Sequence, residues 1–294
     1  MKFISYCYNG EENVGIFNND RIIPLNINLR LNTNSMIDLI ERMNERMIEN
    51  IKHIIDAQDY KYLPADSVRL LAPIPYPKRN VFCLGKNYEE HVREIINPIA
   101  NKDIPKHPIY FTKTAAPAVA HGDLIKFSRQ ITKQVDYEVE LAVIIGKEGI
   151  NINSKEAEDY VFGYTIVNDV SARDLQAKHQ QWHKGKSLDY FCPMGPWIVS
   201  KEEIPFSVEL DIQCSINGEL RQASNTRNMI FDIPYIISDL SKGMTLKPGD
   251  IICTGTPSGV GMGFDPPKFL NDGDTIECYI EKVGKLVNRV SVSC

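Results

Sequence analysis

The sequence predicts an α+β fold, rich in strands, behind a small N-terminal α/β module. Two observations carry this: past residue 73 the chain runs mostly as short β-branched and aromatic stretches closed by turn residues, and helical periodicity there is sparse. In the leading stretch, Phe3–Tyr8 and Val14–Phe17 flank Asn9-Gly10, whose tolerance of positive φ closes a strand pair. After Asn34-Ser35, which suit an N-cap, Met36, Ile40, Met43, Met47, Ile51 and Ile54 recur at steps of three and four. They predict one amphipathic helix over residues 35–56. The prolines at 73, 75 and 77 then punctuate the chain, each removing a donor and biasing its predecessor to extended backbone, so the module is expected to span 1–72 and the main domain 73–294. Within that domain Asn217-Gly218 marks the strongest hairpin, Pro248-Gly249-Asp250 precedes a strand at Ile251–Cys253, and Asn271–Asp274 precedes another at Thr275–Glu281. Helices are expected only at Ser154–Tyr160, after Ser171, and over Phe231–Lys242.

Composition limits the function classes. With 294 residues, 33 basic against 38 acidic side chains and a net charge of −5, the chain has no global cationic field for nucleic acid or an anionic membrane. Its seven cysteines form no CxxC pair, which argues against a zinc knuckle, a redox motif or a disulfide framework; buried thiols in a reducing compartment are the plainer reading. The N-terminus turns polar too soon for a signal-peptide core, and no apolar run approaches the roughly 20 residues that span a bilayer. The expected compartment is the cytoplasm.

Several segments could carry chemistry. In Asp136–Gly146 the strand period of two places Glu138 and Glu140 on one face, where they serve either as a solvated edge or around a cation. Asp169 ends the apolar strand Phe162–Asn168, as a helix cap or as a third carboxylate of a hard-cation site. His91 and Glu94, three residues apart in a helical turn, read either as an exposed ion pair or as an imidazole oriented for general-base work. The aperiodic stretch 95–106 reads as a flap. Lys186 lies among aromatics and turn residues, which a solvated lysine does not need. Thr254–Gly263 could offer backbone N–H groups to an anion, though without the context of a Rossmann or P-loop site. His179 and His183 have the i, i+4 spacing of a zinc pair but no third ligand nearby.

Together, G-K-N-Y-x-x-H-x-x-E, F-T-K at 111–113, D-Y-E-V-E-L, G-Y-T-I-V-N-D-V-S-A-R-D-L-Q, G-K-S-L-D-x-F-x-P-M-G-P-W and P-G-D-I-I-C-T-G-T-P-S-G-V-G resemble the fumarylacetoacetate hydrolase family, in the family's order from residue 80 to 290. The resemblance implies a β-rich α+β roll of mixed sheets, commonly a homodimer. It implies that Glu138, Glu140 and Asp169 bind Mg²⁺ or Mn²⁺, with Ca²⁺ also admitted, and that His91 and Glu94 form a catalytic dyad with Lys186. Arg173, Gln176 and Thr256 fall at substrate-contacting positions. The expected substrate is a small 2-oxo acid, and the expected reaction hydrolytic C–C cleavage of an acylpyruvate-type β-diketone through an enolate. Oxaloacetate decarboxylation and 2-hydroxyhepta-2,4-diene-1,7-dioate isomerisation pass through the same kind of intermediate, while a non-catalytic metal-binding scaffold is the alternative of another class.

Overall fold

The computed structural model describes every residue except 34, 95–102, 116 and 294. Its first strands are β1 (Lys2–Tyr8), β2 (Glu11–Asn18) and β3 (Arg21–Pro24), with Asn9 and Gly10 at φ 52° and 83° in the expected turn. The helix expected over 35–56 is two helices, α1 (Met36–Arg42) and α2 (Glu45–Ala57). Met43 adopts extended backbone between them, and the Asn44 side chain accepts the Met47 N–H at 3.0 Å, starting a second helix in place of continuing the first. Ser35 sits at the N-cap of α1 without a side-chain capping bond.

The principal elements that follow are β4 (Val81–Gly85), α3 (Glu89–Glu94), β5 (Ile109–Lys113), β6 (Leu124–Ser128), β7 (Val139–Ile145) and β8 (Val161–Asn168). There follow α4 (Arg173–Lys178), α5 (His183–Lys186), β9 (Met194–Ser200), β10 (Asp211–Ile216) and β11 (Glu219–Asn225), the last two closing the Asn217-Gly218 hairpin. Then come α6 (Ile233–Leu240), β12 (Ile251–Cys253), β13 (Thr275–Ile280) and β14 (Gly284–Ser293). Residues 154–160 form 3₁₀ turns and not an α-helix. Of the expected flap, residues 95–102 lie outside the described residues.

The large sheet runs β3-β2-β1-β9-β8-β7-β12-β4-β5, with short strands at Leu63–Pro64 and Arg69–Leu70 completing eleven; a five-stranded sheet runs β11-β10-β13-β14-β6. Both are mixed, since β12 with β4 and β14 with β6 are parallel pairs. The fold is therefore α+β and β-rich, and β1 pairs with β9, so strands from both sides of residue 72 share one sheet. Strand β7 is buried on both faces. Val139, Leu141, Val143 and Ile145 pack toward the five-stranded sheet, while Ala142 and Ile144 join the apolar cluster under α1 and α2. By the two-residue period Glu138 and Glu140 share the face of Ala142 and Ile144, at the strand's N-terminal end.

Candidate active site

The ends of β7 and β8 build an acidic cluster. Asn168, the last residue of β8, accepts the Glu138 N–H through Oδ1 at 3.0 Å, and the Asp169 N–H donates to the Glu138 carbonyl at 2.8 Å. These bonds bring Asp169 beside the glutamates. One oxygen each from Glu138, Glu140 and Asp169 lies within 4.8 Å of the others, and all three residues are buried. Burial rules out the solvated-edge reading of the glutamates. Helix α4 is preceded by Ala172 with no side-chain cap, so Asp169 is not a helix cap either.

Three buried cations answer these charges. Lys186 Nζ donates to Glu138 Oε2 at 2.6 Å and to Asp169 Oδ2 at 2.7 Å. Lys113, at the end of β5, donates to Asp169 Oδ1 at 2.6 Å and to the Val170 carbonyl at 2.8 Å. Arg173 donates Nε to Asp136 at 2.9 Å and Nη1 to Gln176 at 3.1 Å; its Nη2 lies 2.7 Å from Glu138 Oε1 but lacks an aligned hydrogen bond. Lys186 reaches the cluster because α5 packs tightly on α4. A Cβ at Gly185 would lie 2.6 Å from the Gln176 nitrogen and 2.8 Å from the Ala172 carbonyl oxygen, too close for any other residue.

The structure brings His91 and Glu94 together: His91 Nδ1 and Glu94 Oε1 are 2.6 Å apart on α3, both largely shielded from solvent. The segment after β12 binds carboxylates, though not those of an external anion. The Gly255 N–H donates to Glu140 at 2.9 Å, the Gly259 N–H to Glu94 at 2.7 Å, and the Gly261 and Met262 N–H groups to Asp136 at 2.7 and 3.0 Å. The anions that this glycine-rich loop holds are the protein's own.

A cavity of about 290 Å³ opens onto the cluster. His91, Glu138, Glu140, Arg173, Gln176 and Lys186 supply much of its polar lining, and Phe111 and Trp182 lie on its apolar side. Thr256 also lines it, but its hydroxyl donates to the Val139 carbonyl and accepts from Gln222. His179 and His183 do not share a helix, because Gln180 has positive φ between α4 and α5; His183 Nδ1 instead lies 2.9 Å from the Thr112 carbonyl oxygen.

The electrostatics are uneven across the trio. Burial would raise the Glu138 carboxyl, but Lys186, Arg173 and His91 outweigh it and hold the group below the usual carboxylate range. Burial pushes Glu140 well above that range, and Asp169 and Glu138 add to the effect. Burial would lower the Lys186 ammonium, yet Asp169 and Glu138 raise it. Among the described residues, Asp136, Glu138, Glu140 and Asp169 face only Lys113, Arg173 and Lys186 in ion pairs: four carboxylates against three cations, with Glu140 unpaired. An all-oxygen donor set in which one carboxyl has no cation of its own fits a hard divalent ion such as Mg²⁺ or Mn²⁺.

Two of these residues carried no role in the sequence reading. Lys113 stood in the F-T-K motif but at a strand end, where lysine is ordinarily solvated, and Asp136 opened the acidic strand without a partner in view.

Comparison with known proteins covers the whole site. The family model described as fumarylacetoacetate (FAA) hydrolase C-terminal matches residues 80–291. Oxaloacetate tautomerase YisK of Bacillus subtilis (strain 168) is 53% identical over 223 residues, 76% of this chain and 73% of the relative. The solved fumarylacetoacetate hydrolase of psychrophilic Exiguobacterium antarcticum aligns over 100% of both chains with TM-score 0.86 and 39% identity. Maleylpyruvate hydrolase from Sphingobium sp. SYK-6, solved with manganese (II) ion and pyruvate, aligns over 100% of both with TM-score 0.80 and 28% identity.

Proposed function

The chain belongs to the fumarylacetoacetate hydrolase family, and from that premise we propose that it is a divalent-metal-dependent enzyme interconverting the keto and enol forms of a short 2-oxo dicarboxylic acid of the oxaloacetate class. The observation that carries this reading is one cavity lined by Glu138, Glu140, Arg173, Lys186 and His91, with Asp169 clustered behind the two glutamates and Glu94 behind the imidazole. Similarity to an oxaloacetate tautomerase over three quarters of the chain supports the choice among enol-forming reactions.

Glu138, Glu140 and Asp169 would hold the ion, which when bound supplies Lewis-acid polarisation of a 2-oxo group. Arg173, which lines the cavity and has a second N–H on Nη2 beyond its contact with Glu138, is the donor for a substrate carboxylate. With Nδ1 engaged by Glu94, His91 keeps Nε2 to take a proton from carbon 3 of the keto acid. The C–H electron pair becomes the C2–C3 double bond, the carbonyl π pair moves to oxygen, and that oxygen takes up a proton, so no atom is gained or lost. Lys186 balances the negative charge that develops on the oxygen.

Hydrolytic cleavage of an acylpyruvate, the reaction placed first from sequence, is the second reading. The same dyad can activate water, and the manganese-containing neighbour is named a maleylpyruvate hydrolase. The homodimer rests on the family resemblance, and the cytoplasm on described cysteines that are unbridged and mostly buried; among the described residues no helix is long and apolar enough to cross a membrane.

The deciding experiment follows the enol absorbance of oxaloacetate with Mg²⁺ or Mn²⁺, beside acetylpyruvate cleavage, pyruvate release from oxaloacetate and isomerisation of 2-hydroxyhepta-2,4-diene-1,7-dioate. Chelator-sensitive acceleration of enol relaxation is expected. Acetylpyruvate cleavage without tautomerisation would transfer the assignment to the second reading, and silence throughout with metal bound would favour a scaffold. In the same assay Lys186→Met is expected to lower turnover by about 10²–10³, the scale of losing one charge-stabilising donor, while Mn²⁺ affinity changes less. Equal losses in both would make the lysine structural.

A further inference from the structure

Asp136 is fully buried yet belongs neither to the carboxylate trio nor to the dyad. Its carboxylate accepts four donors: the Tyr137 N–H at 2.9 Å and the Gly261 N–H at 2.7 Å on Oδ1, and the Met262 N–H at 3.0 Å and Arg173 Nε at 2.9 Å on Oδ2. The loop comes this close only because residue 261 is glycine. A Cβ there would stand 2.7 Å from Asp136 Oδ1 and 2.4 Å from the Lys268 carbonyl oxygen. Asp136 thus grips two cavity-lining parts together, the Arg173 guanidinium and the loop that carries Met262.

With Nε held by Asp136 and Nη1 by Gln176, the guanidinium plane is fixed, and Nη2, 2.7 Å from Glu138 Oε1, has a further N–H to give. We infer that Asp136 is a positioning residue, which orients Arg173 so that Nη2 receives a carboxylate of the ligand. The inference rests on reading the cavity as a 2-oxo acid site. An asparagine could keep the bonds to Tyr137 and Gly261 but would set its NH₂ group against two donors, Met262 N–H and Arg173 Nε. The swap therefore preserves shape while it releases the arginine.

The test is a double-mutant cycle of Asp136→Asn and Arg173→Met on the Mn²⁺-loaded enzyme, with oxalate binding measured by calorimetry. Asp136→Asn alone is expected to weaken oxalate about 10- to 100-fold, the scale for losing a partner that orients a ligand-binding group, with Mn²⁺ affinity essentially unchanged. In the Arg173→Met background it should add almost nothing, because the effect passes through that side chain. With oxaloacetate as substrate the loss should fall on KM more than on kcat. An equal loss of oxalate affinity in both backgrounds, or joint loss of Mn²⁺ and oxalate binding, overturns the assignment. Should Asp136→Asn not fold, Arg173→Lys tests the same claim: lysine keeps the charge but cannot engage Asp136 and the ligand together, and wild-type oxalate affinity would overturn it. The reaction is tested apart from this, since a wild-type enzyme that binds oxalate with the expected coupling but turns over no 2-oxo acid defeats only the proposed activity.

Discussion

Glu140→Gln is expected to abolish divalent-metal binding and to lower turnover by about a thousandfold or more, the several kcal/mol that Lewis-acid assistance contributes, while the metal-free protein melts no lower than wild type. The reason is the asymmetry within the trio. Glu140 has an amide donor in Gly255 but no cation of its own, and it is pressed by Glu138 and Asp169. A neutral amide removes that repulsion and can still accept the Gly255 N–H. Glu138→Gln and Asp169→Asn are also expected to remove metal binding, but each leaves buried cations short of a partner: Lys186 and Arg173 in the first case, Lys113 and Lys186 in the second. These two variants should lose about 3–5 kcal/mol of metal-free stability, the usual cost of breaking a buried ion pair from one side. Thermal melts in chelator and in Mn²⁺, with calorimetric titration of the metal, separate the three. A Glu140→Gln protein that binds Mn²⁺ normally, or that is as destabilised as the other two, would contradict the charge balance described here.

His91→Ala is the second large effect: kcat should fall by about 10²–10⁴, the range for loss of a general acid–base, with Mn²⁺ affinity close to wild type. Glu94→Gln should cost less, since that carboxylate orients the ring and is itself held by the Gly259 N–H. Added imidazole should restore part of the His91→Ala rate. Wild-type turnover by the alanine variant would remove His91 from the mechanism.

Much of this site was legible in the residues. The two-residue strand period placed Glu138 and Glu140 on one face, and the three-residue spacing placed Glu94 beside His91, because both follow from local backbone geometry. Burial was not legible, and burial separates a carboxylate trio able to hold a metal from a solvated edge. Lys113 and Asp136 escaped for a related reason: each acts through a partner far along the chain, Asp169 for one and Arg173 with the 261–262 amides for the other. The split of the 35–56 helix turned on Asn44 preferring to cap a new helix, a local competition that the continuous apolar stripe conceals. The glycine-rich loop was expected to offer its N–H groups to an anion, and the groups that accept them are carboxylates of the same chain, Glu140, Glu94 and Asp136.

The pairing of β1 with β9 bears on how the protein can be cut. Strand β9 is flanked by β8, which leads into Asp169, on one side and by the leading strand on the other. A fragment lacking the first strand would present part of Met194–Ser200 as a bare rim of unpaired amides and carbonyls, backed by buried apolar side chains. Such a rim is a template for adding foreign strands, so a fragment that begins after β1 is expected to self-associate where the whole chain does not.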